Sequence, residues 1–235
     1  AYMDSIPMVA ITGQVKSDQL GRDVFQEADI TGACESFVKH SYLVKDTADL
    51  PRVFKEAFHI AATGRPGPVL IDVPVDVQQG EVEDFIYPEK VNIIGYKPSV
   101  TGHPMQIKRA LDILSRSKKP VIVAGGGVLT SGAKLRFREF VKKTNIPVVS
   151  TMMGIGTMPS EDPLYVGMIG SHGKKAANNT IAAADLVIAV GSRFGDRQTG
   201  NVNKYTQSKK FIHIDIDPAE IDKNIEGSLG LAGDM

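Results

Sequence analysis

The sequence predicts an α/β protein whose second part is a doubly wound parallel sheet. Three observations carry this. Short apolar runs recur at 118–126 (KKPVIVAGG), 145–151 (NIPVVST), 185–192 (DLVIAVGS) and 209–217 (KKFIHIDID). Helical patterns near 132–144 and 174–184 separate them, and glycine-rich or polar turns close them, as strand–helix alternation in a covered sheet requires. At 235 residues and 42% hydrophobic content, the chain has material for one large or two modest domains with a genuine core.

Twenty-seven Lys+Arg balance 27 Asp+Glu. No overall field would therefore attract nucleic acid or an anionic membrane, and any anion site must be local. The single cysteine, Cys34, excludes an internal disulfide and a cysteine metal cage, fits a reducing, cytoplasmic setting, and reads as a buried small residue. No apolar run reaches membrane-spanning length and no signal-peptide pattern opens the chain. The opening AYMDSIPMVAITG starts inside an apparent structural element without an initiating methionine, so a fragment is expected.

Residues 1–93 offer two strands, PMVAITG (7–13) and GPVLIDVPVDV (67–77), apolar enough for a parallel sheet. Between them, TADLPRVFKEAFHIAATG (47–64) spaces Leu50, Val53, Phe54, Ala57, Phe58 and Ala61 on one helical face, with Thr47 or Asp49 as cap and Gly64 as terminator. Two strands cannot form a covered sheet, so this βαβ piece is expected to be the C-terminal part of a larger domain. The stretch 81–104 mixes charges, prolines and aromatics without periodicity, and a linker is placed at 94–103. The second domain, 104–235, opens with a helix at Pro104 whose apolar face is Ile107, Ala110, Leu111 and Leu114.

In a doubly wound sheet, ligands collect at the carboxyl ends of strands. Gly125, Gly126 and Gly127 follow the first such strand, where glycines allow close approach to a pyrophosphate, although Gly132 falls two places late for the usual dinucleotide fingerprint and a plain tight turn is the alternative. Thr151, Met152 and Met153 follow the second strand. MIGSHG (168–173) presents Gly170, Ser171, His172 and Gly173 before a helix. HIDID sets Asp215 and Asp217 on one face, one to accept from ribose hydroxyls and the other equally suited to capping DPAEIDKN. In GSRFGDRQTG (191–200), Arg193 and Arg197 fall on the same side in either extended or helical geometry, with Asp196 available to orient one; they suit a diphosphate or a carboxylate, or form a surface ion-pair cluster. Jointly these loops point to a long nucleotide cofactor lying across the strand ends. The five histidines show no metal-ligand spacing; His59 reads as solvated, His213 as packed within a strand, and His172 as the one with a ligand-loop position. The basic helix with Lys134, Arg136, Arg138, Lys142 and Lys143 reads as a solvated face.

GQV (13–15), LGRDVFQEADITG (20–32), RPGPVLIDVP (65–74), AGGG, MIGSHG, VGSRFGDRQTGN and HIDIDPAEI occur in an order that resembles the catalytic large subunit of acetohydroxyacid synthase, also called acetolactate synthase. The resemblance spans nearly the whole chain, and FQEAD and RFGDR are its most discriminating parts. It implies the end of a thiamine-pyrimidine-binding domain followed by a Rossmann-like central FAD-binding domain. It also implies a thiamine-diphosphate- and Mg2+-dependent transferase of branched-chain amino acid biosynthesis, which decarboxylates pyruvate and joins the product to a second 2-oxoacid. FAD would be largely structural, and the partners would be a second copy of the subunit and a regulatory small subunit.

By the same resemblance, Arg65, Gly125 to Gly127, Thr151 to Met153, Gly170 to Gly173, Gly191, Arg193, Asp215, Ile216, Asp234 and Met235 would touch FAD. Phe25 and Gln26 would lie at the active-site channel between subunits, and Arg197 would meet the carboxylate of the second 2-oxoacid. No metal ligand is assigned. Four positions depart from the family's pattern, Lys16, Val75, Ser171 and Gly195; the first three would border the substrate channel and bear on second-substrate preference. The family's activating glutamate would lie before Ala1 and its metal motif beyond Met235, so the isolated chain is expected to be inactive. Rival readings are another flavin-containing thiamine enzyme, of glyoxylate carboligase or pyruvate oxidase type, against which FQEAD speaks, and a non-catalytic nucleotide-binding module.

Overall fold

The computed structural model describes residues 1–98, 100–227 and 229–234. The chain divides into two compact units, Ala1–Pro98 and Ser99–Met235. Both are built on parallel sheets, in agreement with the predicted α/β class.

In the first unit β1 (Met8–Gln14), β2 (His40–Leu43) and β3 (Pro68–Pro74) form a sheet in the order β1-β3-β2. Every residue of the central β3 is buried, which is why it reads as an unbroken apolar run. Strand β2 was not anticipated: it is a four-residue edge strand, HSYL, too short and too polar to stand out. The predicted strand 67–77 also ends early. After Pro74 the segment VDVQQ turns into α3 (Val75–Gln79), and the Asp76 carboxylate accepts from Ser17 N at 3.0 Å, tying α3 to the chain leaving β1.

Helices α1 (Ile30–Cys34) and α2 (Leu50–Ala62) complete this unit. The buried stripe of α2 runs through Val53, Ala57, Ile60 and Ala61, a spacing of i, i+4, i+7, i+8. Phe58, expected in that stripe, is 57% exposed, and Ile60 takes its place. Asp49 takes the N-cap position as one of the two expected residues, but its side chain makes no capping hydrogen bond. Asp46 accepts from Ala48 N at 2.9 Å and opens a 3-10 turn, Thr47–Asp49, that runs into α2; Thr47 donates instead to Val77 O, and Asp49 pairs with Arg52 at 2.8 Å. Thr63 and left-handed Gly64 (φ 60°) end the helix. His59 is half-buried, edge-on to Tyr96, rather than solvated, and Cys34 is half-buried rather than buried. Residues 80–98 lack helix and strand, but Ile93 and Tyr96 pack on this unit's core, and the Tyr96 hydroxyl meets Thr63 Oγ1 at 2.8 Å.

The second unit contains α4 (Pro104–Ser115), β4 (Pro120–Ala124), α5 (Gly127–Thr130), α6 (Lys134–Thr144), β5 (Val148–Ser150), β6 (Tyr165–Met168), α7 (Lys175–Ala183), β7 (Leu186–Val190), α8 (Asp196–Thr199), α9 (Val202–Thr206), β8 (Lys210–Asp215) and β9 (Leu229–Ala232). Its strands lie in the order β6-β5-β4-β7-β8-β9, all parallel. Numbered from the first strand of this unit, that is 3-2-1-4-5-6, the doubly wound arrangement of dinucleotide-binding folds. Alternation divides β4 between the two faces: Ile122 and Ala124 enter one core with Val128, Phe137, Val141 and Ile188, while Val121 and Val123 enter the other with Ala177, Ile181 and Ala189.

Four strands were legible here; β6 and β9 were not. These two are the sheet's edges, each four residues long and interrupted by glycine. Two further expectations need correction. On α4, Ile107 and Leu111 are 47% and 57% exposed and, with Leu114, Ile188, Ile212 and Leu231, border an open apolar groove of about 320 Å³. On α6 the face is not wholly solvated, because Arg138 Nε donates to Thr157 O at 2.6 Å and its Nη2 to Gly156 O at 3.2 Å. Among the described residues, no helix is long and apolar enough to cross a membrane.

His213 on β8 is 2% exposed, edge-on to Phe194 with ring centroids 4.9 Å apart. Burial holds its pKa below the ordinary 6.5, outweighing the opposing pull of Asp215, Asp222 and Glu220. The unfolded chain therefore takes the proton more readily, and the contribution to stability is complete above pH 6.5 and is lost as pH falls from there toward the folded pKa. His213→Phe should flatten the acid limb of the stability–pH curve just below 6.5, as measured by urea unfolding at a series of pH values. An unchanged limb would assign it to other groups.

Candidate functional site

Because every strand of the second unit is parallel, the loops leaving their carboxyl ends share one edge. The loops interlock through backbone. Gly125 N donates to Val190 O at 2.8 Å and Gly127 N to Gly191 O at 3.1 Å, across the point where the strand order reverses. A Cβ on Gly125 would lie 1.9 Å from Gly191 O, and one on Gly154 would lie 2.0 Å from Ala124 O. Farther along, a Cβ on Gly170 would lie 2.5 Å from Arg197 O, and Ser171 N donates to that same oxygen at 2.9 Å. Gly233 N donates to Asp215 O at 2.9 Å on the other flank. These glycines let neighbouring loops pack on one another: the space a side chain on Gly125 would need is filled by Gly191 and Ser192.

Thr151 Oγ1 accepts from Gly154 N and caps the 3-10 turn Met152–Gly154, leaving Met152, Met153 and Ile155 at 66%, 50% and 54% exposure. Gly126 lies against Met153, where a Cβ would stand 3.0 Å from the Met153 Cβ. Ser171 and His172 are exposed and Gly173 is half-buried.

The segment 191–197 is neither extended nor helical throughout, so regular periodicity does not relate its two arginines. Gly191 and Phe194 are left-handed (φ 59° and 52°), and α8 begins only at Asp196. Phe194 is 2% exposed and meets Tyr205, Phe211 and His213 edge-on, an aromatic peg that anchors the loop. Sequence reasoning passed over Phe194; a lone aromatic among charged and glycine residues was the available signal. Arg193 is half-buried, with its carbonyl accepting from Asn224 Nδ2 at 2.8 Å. Arg197 and Asp196 are each 87% exposed, 3.8 Å apart. Gly195 has φ −62° and open space where a Cβ would go, so a larger residue fits there without strain.

Both aspartates of HIDID serve backbone. Asp215, 6% exposed, accepts from Asp217 N at 3.0 Å, and Asp217 caps the 3-10 turn Pro218–Glu220 through Ala219 N. Ile216 is half-buried; Asp234 is exposed and its amide donates to Val100 O; Met235 lies outside the described residues.

The first unit carries the other candidates. Phe25 (88% exposed) and Gln26 sit on the long loop leaving β1 at its carboxyl end, the same sheet edge as Lys16 and Val75. Arg65 lies over the Tyr2 ring at 5.7 Å and donates to Ser5 Oγ at 3.0 Å. Asp72, 1% exposed near the end of β3, accepts from Thr12 Oγ1 at 2.7 Å and Gln14 Nε2 at 3.0 Å. An acid inside the run VLIDVP was its sequence signal. Among the described residues, no group of three or more His, Cys, Asp or Glu could hold a metal.

Residues 107–235 match the central domain of thiamine pyrophosphate enzymes, and the chain belongs to that family. Over its full length it is similar to three acetolactate synthase large subunits. It is 49% identical to the probable large subunit of Methanocaldococcus jannaschii, 48% to the large subunit of Corynebacterium glutamicum and 46% to the isozyme 3 large subunit of Escherichia coli K12. The chain covers 40%, 37% and 41% of those proteins, about two fifths of their length.

If Gly125 is a packing residue, Gly125→Ala should destabilise the second unit by about 1–3 kcal/mol or more with no ligand added, because the added methyl meets backbone. Chemical unfolding of the chain measures this; an unchanged midpoint would leave ligand approach as the reason for the glycine.

Proposed function

We propose that this chain forms part of an acetolactate synthase large subunit, in which the second unit holds FAD and the first supplies side chains to the substrate channel. The single observation that best supports this is the common edge of six parallel strand ends in 3-2-1-4-5-6 order, within a chain 46–49% identical to such subunits. The residues on that edge fit a flavin dinucleotide. Exposed Met152, Met153 and Ile155 offer an apolar bed for flat rings, and Arg193 offers a cation to a diphosphate at the strand-order reversal. Gly125 to Gly127, Thr151, Gly170 to Gly173, Gly191, Asp215, Ile216 and Asp234 are the other described residues of this unit assigned to FAD, which serves a structural role in this reading.

Thiamine diphosphate, bound with Mg2+ elsewhere in the whole subunit, would supply the carbanion chemistry by which pyruvate loses CO2 and its remaining two-carbon unit is joined to a second 2-oxoacid. Toward that reaction, Phe25 and Gln26 line the channel. Arg197 receives the second oxoacid's carboxylate, a task suited to a planar two-pronged cation on an exposed helical turn. The whole subunit works as a homo-oligomer with a regulatory small subunit.

Titrating the 235-residue chain with FAD should quench flavin fluorescence, and Arg193→Ala should weaken binding by about tenfold or more, the value of one charge-assisted contact. In the longer subunit that carries this segment, pyruvate should yield acetolactate; a preparation that makes none refutes the assignment. Arg197→Ala there should raise KM for the second 2-oxoacid about 10- to 100-fold while the thermal midpoint stays put, since an exposed arginine adds little stability. Unchanged kinetics would remove Arg197 from the site.

A further inference from the structure

The loop between β1 and α1 presents Phe25 and Gln26 in an unusual conformation. Glu27 N donates to Val24 O at 3.0 Å, which makes residues 24–27 a β-turn with Phe25 and Gln26 at its two central positions. Gln26 has φ 64°, at the turn position that glycine or asparagine ordinarily takes, and Gly21 and Asp23 are left-handed as well, at 74° and 54°. Such a backbone persists only where its surroundings over-determine it.

Two carboxylates supply that determination. At the tip, Glu27 folds back: Oε1 accepts from Gly21 N, and Oε2 accepts from Val24 N at 3.2 Å and Arg22 N at 3.3 Å. At the base, buried Asp72 holds Gln14 Nε2 at 3.0 Å, and the same Nε2 donates to Ala28 O at 2.6 Å, so the loop's exit is tied to the end of β1. Asp29 fixes the start of α1 by accepting from Gly32 N at 2.8 Å. Phe25 and Gln26 are left outside both clamps, with side chains exposed.

We infer that Glu27 is a positioning residue: its carboxylate holds the strained turn that aims Phe25 and Gln26 at the substrate. This rests on the assignment of those two residues to the substrate channel. Glutamine cannot replace Glu27, because two acceptor oxygens face amide hydrogens and an amide nitrogen in place of either would set donor against donor. The amide of Gly21, first among the backbone contacts, holds the Glu27 carboxyl below its ordinary 4.5.

Two measurements test the inference separately. In the wild-type 235-residue chain, the amide resonances of Gly21, Arg22 and Val24 should shift together on acidification, with one midpoint below 4.5. In Glu27→Gln their hydrogen exchange should quicken while the protection of β1 and β3 is retained. Independent titration of the three amides, or unchanged exchange, overturns the clamp without any variant needing to be active. In the longer acetolactate-forming subunit, Glu27→Gln should lower kcat about 10- to 100-fold, as small misplacements of a reacting group do. Glu27→Gln added to the Phe25→Ala/Gln26→Ala pair should lower kcat no further than that pair does alone, since a residue acting through those two side chains has nothing left to act on. Full additivity, or unchanged kcat, overturns the positioning role. If the wild-type subunit makes no acetolactate, the proposed function fails, and the amide measurements still decide whether the clamp exists.

Discussion

The second unit depends on the close approach of two backbones at the reversal of strand order. Strands β4 and β7 are adjacent in the sheet but run to opposite halves of it, and where they end, Gly125 and Gly191 touch with no room for a methyl group between them. The pair is also fastened at its other end: the Asp185 carboxylate, just ahead of β7, accepts from the amides of Lys118 at 2.7 Å and Lys119 at 2.9 Å, just ahead of β4. A strand pair pinned at both ends fixes the register of everything wound outward from it. The neighbouring loops lean in, Gly154 on Ala124 and Gly170 on Arg197, so the carboxyl edge becomes a bonded surface instead of separate turns. This gives the fold its functional side, because a long anionic ligand needs contacts whose spacing does not drift.

The two units solve a similar problem with overlapping means. Both set candidate residues at the carboxyl ends of parallel strands, Arg65 excepted, which precedes β3. Both use carboxylates that gather backbone amides, Glu27 and Asp29 in the first unit and Asp185, Asp215 and Asp217 in the second, and the second adds glycine packing and one buried aromatic. Asp72 is nearly inaccessible yet hydrogen-bonded to Thr12 and Gln14, as a buried polar group requires. With acids and bases balanced overall, charge in this chain acts over hydrogen-bond distances and not as a long-range field.

How legible each element was in the sequence depends on where it sits. Central strands β3, β4, β7 and β8 are covered on both faces and announce themselves as apolar runs. β2, β6 and β9 are sheet edges of only four residues each, too short to show a pattern, whereas β1, also an edge strand but seven residues long, was legible. Helix α2 showed its period and, through Leu50, Val53, Phe54, Ala57 and Ala61, its phase; only at the margin of the stripe was Phe58 placed inside where Ile60 lies. The strand-end location of the glycines, of Arg193 and of Asp215 was readable because turns come after strands. The capping role of Asp217 was readable as well, because it is made within two residues; that Gly125 faces the backbone of residue 191 is a tertiary fact with no local signature, and the reach of Glu27 back to residue 21 depends on a loop conformation that no spacing announces.

Phe194 separates two kinds of selective pressure within seven residues. Its ring is lodged among Tyr205, Phe211 and His213, so the loop's anchorage is decided inside the core; at 195–197 the backbone is bonded to its neighbours, but the Asp196 and Arg197 side chains project into solvent and a Cβ at Gly195 would meet nothing. Chemistry at the tip can thus be rewritten without loosening the root. A lineage could exchange residues at 195 to 197 and alter which anion it selects at negligible cost to folding, whereas any change at 194 would be felt by the whole sheet.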